Sequence, residues 1–336
     1  MEINLRTLLF ITINDWPALS NISGQSNRGY NACTHCLDKT KGTHLEKCKK
    51  IVYLENRRFL PSNHQVRKRG KHFEGKLENR KKPELPKGED VLHMVNDLPE
   101  VIFGKGPGGK SVPKDAQGHA PMWKKKSIFW ELEYLKFLEV RSSIDVMHVT
   151  KNICVNLLGF LGVYGKTRDT PEAREDQQKM KDPNNKHTGR KHLSSYALTK
   201  AEKEIFFQCL SSIKVPAGFS SNIKGIINMA EKKFQNLKSH DCHVIMTQLL
   251  PVALRGLLPD NVRLPIVKLC AFLNAISQKV IDPTTLPKLQ KDVAQCLVSF
   301  ELVFPPSFFD IMTHLLLHPF SSPGCLLPAQ GFRTLG

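Results

Sequence analysis

Several sets of residues in this chain have types and spacings that could do chemistry. The first is Asp15. It closes a run over 5–14, Leu-Arg-Thr-Leu-Leu-Phe-Ile-Thr-Ile-Asn, whose β-branched and aromatic residues predict a buried strand. Hard divalent cations bind carboxylate oxygens, and two such ions can clamp the attacking and leaving oxygens of a phosphodiester. An Asp at a strand end serves equally as a turn former. The second set is Asp145-Val-Met-His148. On a helix, Asp145, His148, Asn152 and Asn156 fall within about one quarter of the circumference. Buried, that polar stripe needs partners such as a metal or a second carboxylate; exposed, it is the wet face of an amphipathic helix.

The third set is Cys33-Thr-His-Cys36 followed by His44 and Cys48, a C-x2-C-x7-H-x3-C spacing. Two thiolates two apart supply half of a tetrahedral zinc site, and the H-x3-C pair could supply the rest, with His35 and His64 as spare donors. The alternative is a pair of semi-buried structural cysteines beside a turn. Gly104 to Ser111 spells the phosphate-loop pattern, but Pro113 prevents the helix that the mechanism requires, so the segment reads as a flexible basic loop. His240-Asp241-Cys242-His243 and the i, i+4 pair His314 and His318 read as caps or packing, although the latter spacing also suits a metal pair.

The elements around these residues divide the chain. Helical spacing covers 128–140 and 145–161. Residues 166–195 are polar and predict a linker. From about 196 the chain becomes helical: Thr199…Glu202 is a capping box, and apolar periods run through 264–280, 289–304 and 307–317, the last with a second candidate box, Ser307…Asp310. Residues 319–336 have no period.

Lys and Arg number 49 against 31 Asp and Glu, a net charge of +18, which suits a polyanionic partner. Residues 37–127 carry 22 of these cations against 11 acids and predict an irregular basic insertion. Its clusters, Arg67, Lys68, Arg69 and Lys71, then Arg80, Lys81 and Lys82, then Lys124, Lys125 and Lys126, are the candidate DNA contacts. An apolar content of 40% excludes wholesale disorder, and no apolar run is long enough to span a bilayer. No signal peptide is apparent, and the nine scattered cysteines suit a reducing compartment.

Three long blocks, 11–36, 119–176 and 211–283, resemble the transposase of plant CACTA (En/Spm-type) DNA transposons, and the resemblance covers roughly 1–318. It extends into the helical domain of unknown function that follows the catalytic region in that family. The resemblance implies an α/β + α chain: a partial ribonuclease-H-like region over 1–165 interrupted by the basic insertion, a linker over 166–195, a helical domain over 196–318, and a tail outside the family pattern. It implies nuclear DNA cleavage and strand transfer with Mg²⁺. Asp15 matches an Asp of the family's Thr-Ile-Asn-Asp block and Asp145 and His148 its D-x-M-H block, so these are the catalytic candidates, with Asp15 and Asp145 as magnesium ligands. Asp145 is either a catalytic acid or part of an accessory motif. Cys33 and Cys36 match the family's CxxC. The departures are a missing upstream acidic block, Val155 where the family often has Glu, and the replaced tail. They imply a fragment that lacks strand-transfer activity, or a DNA-binding or zinc-stabilised interaction module derived from a transposon. The oligomeric state is not implied.

Overall fold

The computed structural model describes residues 7–98 except 72 and 74, 112–181 except 117 and 139, 195–214 and 222–318. The phosphate-loop pattern, the tail over 319–336 and residues 182–194 of the expected linker lie outside these residues. Elements run in the order β1 (Thr12–Asn14), α1 (Trp16–Ser23), β2 (Thr43–Leu45), β3 (Lys50–Val52), α2 (Gly88–Asn96), β4 (Ser142–Ile144), α3 (Val146–Leu161), α4 (Pro171–Lys181) and α5 (Lys200–Ser212). There follow β5 (Ile227–Asn228), β6 (Lys233–Phe234), α6 (Ser239–Val244), α7 (Leu250–Ala253), α8 (Asp260–Ile276), α9 (Leu286–Val303) and α10 (Ile311–Leu315). The chain is therefore α/β followed by α. No helix among the described residues is long and apolar enough to cross a membrane.

The chain divides into two units. One comprises the described residues of Met1–Thr40 and Pro83–Asp145. Its sheet is β1 and β4, paired in parallel with Thr12 opposite Ser142 and Asn14 opposite Ile144. A parallel pair needs a crossover, and the long excursion between these strands supplies it. The β-branched run is extended over a shorter span than its composition predicts: β1 has three residues, and Leu8 and Phe10 are exposed. Leu37, Val91, Val95 and Trp123 form a small core, with Leu92, Met122 and Trp130 against it. Gly24 ends α1 at φ 79°, and its carbonyl accepts the Lys124 N–H at 2.8 Å. A Cβ there would stand 2.1 Å from the Lys125 carbonyl oxygen, so only glycine allows this approach. The period over 128–140 does not form a helix; two short 3-10 turns, Ile128–Glu131 and Leu135–Phe137, stand there, the first capped by Ser127.

The other unit comprises Lys41–Lys82 and Val146–His318. The expected irregular insertion thus contains an antiparallel pair, β2 with β3, and helix α2 in the first unit. The buried side of α3 packs on α6 and α10, and α8 packs on α9. Phe160, Phe300, Phe304 and Phe308 form an aromatic cluster, joined by Tyr196 stacked on Phe304 at 5.0 Å. The capping box at α5 forms as read: Thr199 Oγ1 accepts the Glu202 N–H at 3.3 Å, and the Thr199 N–H donates to Glu202 at 2.8 Å. The polar stretch expected as a linker contains α4, where Ala173 and Asp176 are buried and Arg174 pairs with Asp169. The last box differs. Ser307 lies in a 3-10 turn, Pro306–Phe308, and Asp310 caps α10 by accepting the Thr313 N–H at 3.1 Å.

Candidate metal centre and strand-end acids

Cys33 and Cys36 sit on a tight turn beyond α1. The Cys36 N–H points at Cys33 Sγ, 3.4 Å away, and the Leu37 N–H closes on the Cys33 carbonyl at 3.0 Å. Leu37 completes the turn at φ 48°, a left-handed conformation that a branched residue adopts only under constraint from its surroundings. That constraint is its place in the Trp123 core. The geometry is that of a thiolate hairpin, with a backbone donor stabilising the first sulfur.

His314 and His318 lie one turn apart at the end of α10. Their Nε2 atoms are 3.1 Å apart, and both side chains are buried. Phe59 packs edge-on against both rings, at 6.0 and 5.4 Å, and Tyr53 packs on His314. Cys33 and Cys36 are buried in the first unit, and His314 and His318 are buried in the second. Nitrogens on a tetrahedral zinc stand about 3.3 Å apart, given bonds of about 2.0–2.1 Å. The imidazole separation fits that value, and thiolates and imidazoles are both ordinary zinc donors. Either pair can supply ligands to a metal such as zinc.

The spacing adds His44 and Cys48 to the two cysteines. His44 is exposed on β2, and Cys48 is half-buried beside Asp176, whose carboxylate accepts the Cys48 N–H at 2.9 Å. Burial, with Asp176 next to it, pushes the Cys48 thiol up to about 11, a poor thiolate donor. The i, i+4 spacing of His314 and His318 brings their rings into contact, 4.9 Å between centroids.

The acids are placed by the parallel pair. Asp15 and Asp145 each follow the last residue of their strand, Asn14 and Ile144, which face each other in register. The Asp145 N–H donates to the Asn14 carbonyl at 2.8 Å, so the two acids emerge side by side at the carboxyl ends of adjacent parallel strands. Asp15 also caps α1, accepting the Ala18 N–H at 2.8 Å. His148 is half-buried in the first turn of α3. The polar stripe that begins with Asp145 is not a wet face at its far end: Asn156 is 1% exposed and donates to the Phe308 carbonyl at 2.8 Å.

The cationic clusters separate into two kinds. Arg67 is buried, and its guanidinium donates to the carbonyls of Leu60, Arg58, Glu78 and Arg80. Arg80 pairs with Glu78 and Glu55. Both are built into the fold, which corrects their reading as free phosphate contacts. Lys68, Arg69, Lys71, Lys81, Lys82, Lys124 and Lys126 are exposed, and Lys125 is half-buried.

Residues 1–98 match the model of Transposase family tnp2, and residues 276–322 match that of a Domain of unknown function (DUF4218). No curated protein and no solved structure matches the chain. The two family matches support a transposase-derived protein.

Proposed function

We propose that the chain is a CACTA-type, nuclear, transposase-derived DNA-binding protein, stabilised by zinc bound through Cys33 and Cys36 and without strand-transfer activity of its own. The observation that carries this reading is the placement of Asp15 and Asp145 at adjacent parallel strand ends in a chain whose first 98 residues match a transposase model. Acids at such strand ends are where a ribonuclease-H-like site would hold Mg²⁺. A two-ion phosphodiester site needs more carboxylates than two. DNA binding is supported by the net charge of +18 and the exposed lysines over 68–82 and 124–126.

The test is fluorescence anisotropy with a short duplex, across 50–200 mM salt, beside a strand-transfer assay with Mg²⁺ or Mn²⁺. Salt-steep, sequence-tolerant binding without cleavage is expected. Robust cleavage overturns the inactive assignment. Affinity that stays flat with salt selects a second reading, a zinc-stabilised interaction module, which the buried Cys33–Cys36 turn favours.

A further inference from the structure

The unit that holds α3 and α4 contains a cavity of about 620 Å³ lined by Lys47, Lys50, Lys166, Arg168, Glu172 and Ser307, among others. Four of these are cations and one is a carboxylate. Lys47 is neutralised by Glu175 at 3.1 Å. Among the described residues, no carboxylate is in ion-pair contact with Lys50 or Arg168. Lys50 is half-buried on β3, and its ammonium donates to the Ser307 carbonyl. Burial lowers its affinity for a proton, Asp310 opposes this, and the Arg168 charge adds to it. The half-buried Lys50 is thus repelled by the exposed Arg168 beside it, an arrangement that an anion joining the two relieves.

Arg168 is held in place by the fold. Helix α3 ends at a left-handed Gly162, and the returning chain lays Arg168 across Gly159, where a Cβ would meet its side chain at 3.0 Å. Its Nη1 donates to Asn156 Oδ1 at 2.5 Å, and Asn156 is itself anchored to the Phe308 carbonyl. Lys166 stands on the exposed part of the same loop. One planar fork and two point charges around one hollow suit a tetrahedral oxyanion, which accepts charge-assisted hydrogen bonds from several directions.

We infer that this cavity binds a phosphate group through Lys50, Lys166 and Arg168. The group is either an unesterified phosphate or a phosphodiester of the DNA backbone; the second source rests on the DNA-binding reading above.

The experiment uses the full chain and two probes, inorganic phosphate by calorimetry and a 20-base-pair duplex by anisotropy between 50 and 200 mM salt. Variants are Lys166→Ala, on an exposed loop, Arg168→Gln and Lys50→Met, with circular dichroism as the fold control. If backbone phosphate is the ligand, Lys166→Ala and Arg168→Gln each weaken duplex binding several-fold at 0.1 M salt. Each also flattens the log–log salt slope by about 0.9. If the ligand is free phosphate, the phosphate titration is lost in the variants while duplex binding is unchanged. Duplex binding by the parent chain with no effect of Lys166→Ala, together with no phosphate titration, overturns the cavity and leaves the DNA reading intact. Absence of duplex binding with a variant-sensitive phosphate titration does the reverse.

Discussion

Glu301 offers the sharpest test of how the histidine pair is supported. It lies on α9 and accepts the Asn56 side-chain N–H at 2.5 Å. Asn56 opens the 3-10 turn, Asn56–Phe59, that presents Phe59 to His314 and His318. The carboxyl is buried, and Oε2 has no hydrogen-bond partner. Burial therefore pushes Glu301 up to about 8; the Asn56 bond and Arg57 oppose this, and Glu78 adds to it. A carboxyl whose folded value exceeds its unfolded value of 4.5 prefers the protonated fold. Its stabilising contribution is complete below about pH 4.5 and is lost as pH rises through about 8. At about 1.4 kcal/mol per unit, the loss has a ceiling of about 5 kcal/mol. Glu301→Gln keeps the Asn56 contact and removes the titration. Urea denaturation from pH 5 to 9 should find the two proteins close at pH 5. The variant should gain about 1 kcal/mol per pH unit over the parent up to about pH 8. Parallel curves for parent and variant would refute the argument that this carboxyl is desolvated.

The purified chain should carry zinc, and Cys33→Ser should abolish the stoichiometric metal by mass spectrometry. For any such site, each tenfold fall in free zinc should destabilise the protein by about 1.4 kcal/mol in buffered chelator titrations while the site stays saturated. Gly24→Ala should cost at least about 2 kcal/mol, because its Cβ would meet the Lys125 carbonyl and its φ is left-handed; thermal denaturation measures it. Arg67→Met should destabilise by about 3 kcal/mol through orphaned buried carbonyls, whereas Lys68→Ala should leave stability unchanged and only flatten the salt dependence of DNA binding.

Local signals in the sequence hold where local chemistry decides the outcome. Thr199 and Glu202 complete a capping box because their spacing alone brings each to the other's N–H. The apolar periods of α3, α8 and α9 hold because each helix buries one continuous face. The parallel neighbours Asp15 and Asp145 could be named one at a time, but their adjacency depends on the pairing of β1 with β4 across more than a hundred residues. His44 lies close to the CxxC in sequence, yet β2 carries it exposed, which the spacing alone does not reveal. Charge clusters fail differently. Arg67 looks like its neighbours in sequence, but the 3-10 turn Gln65–Lys68 directs its side chain inward, where backbone carbonyls take up its guanidinium.

The role of Asp15 as a helix cap bears on what the strand-end pair can do. A carboxylate has about four lone-pair sites, and the Ala18 N–H occupies one of them on Oδ1. Capping therefore orients Asp15 without exhausting it, and the remaining oxygen can face whatever Asp145 faces. Asp15→Asn separates the two roles: the amide oxygen still caps α1, so stability should change by less than about 1 kcal/mol, while any divalent-ion affinity of the pair should fall. Calorimetric titration with Mn²⁺ reads the second effect. An unchanged weak Mn²⁺ isotherm in Asp15→Asn would mean that the pair is a structural remnant of strand and helix geometry, with no cation site between the two acids.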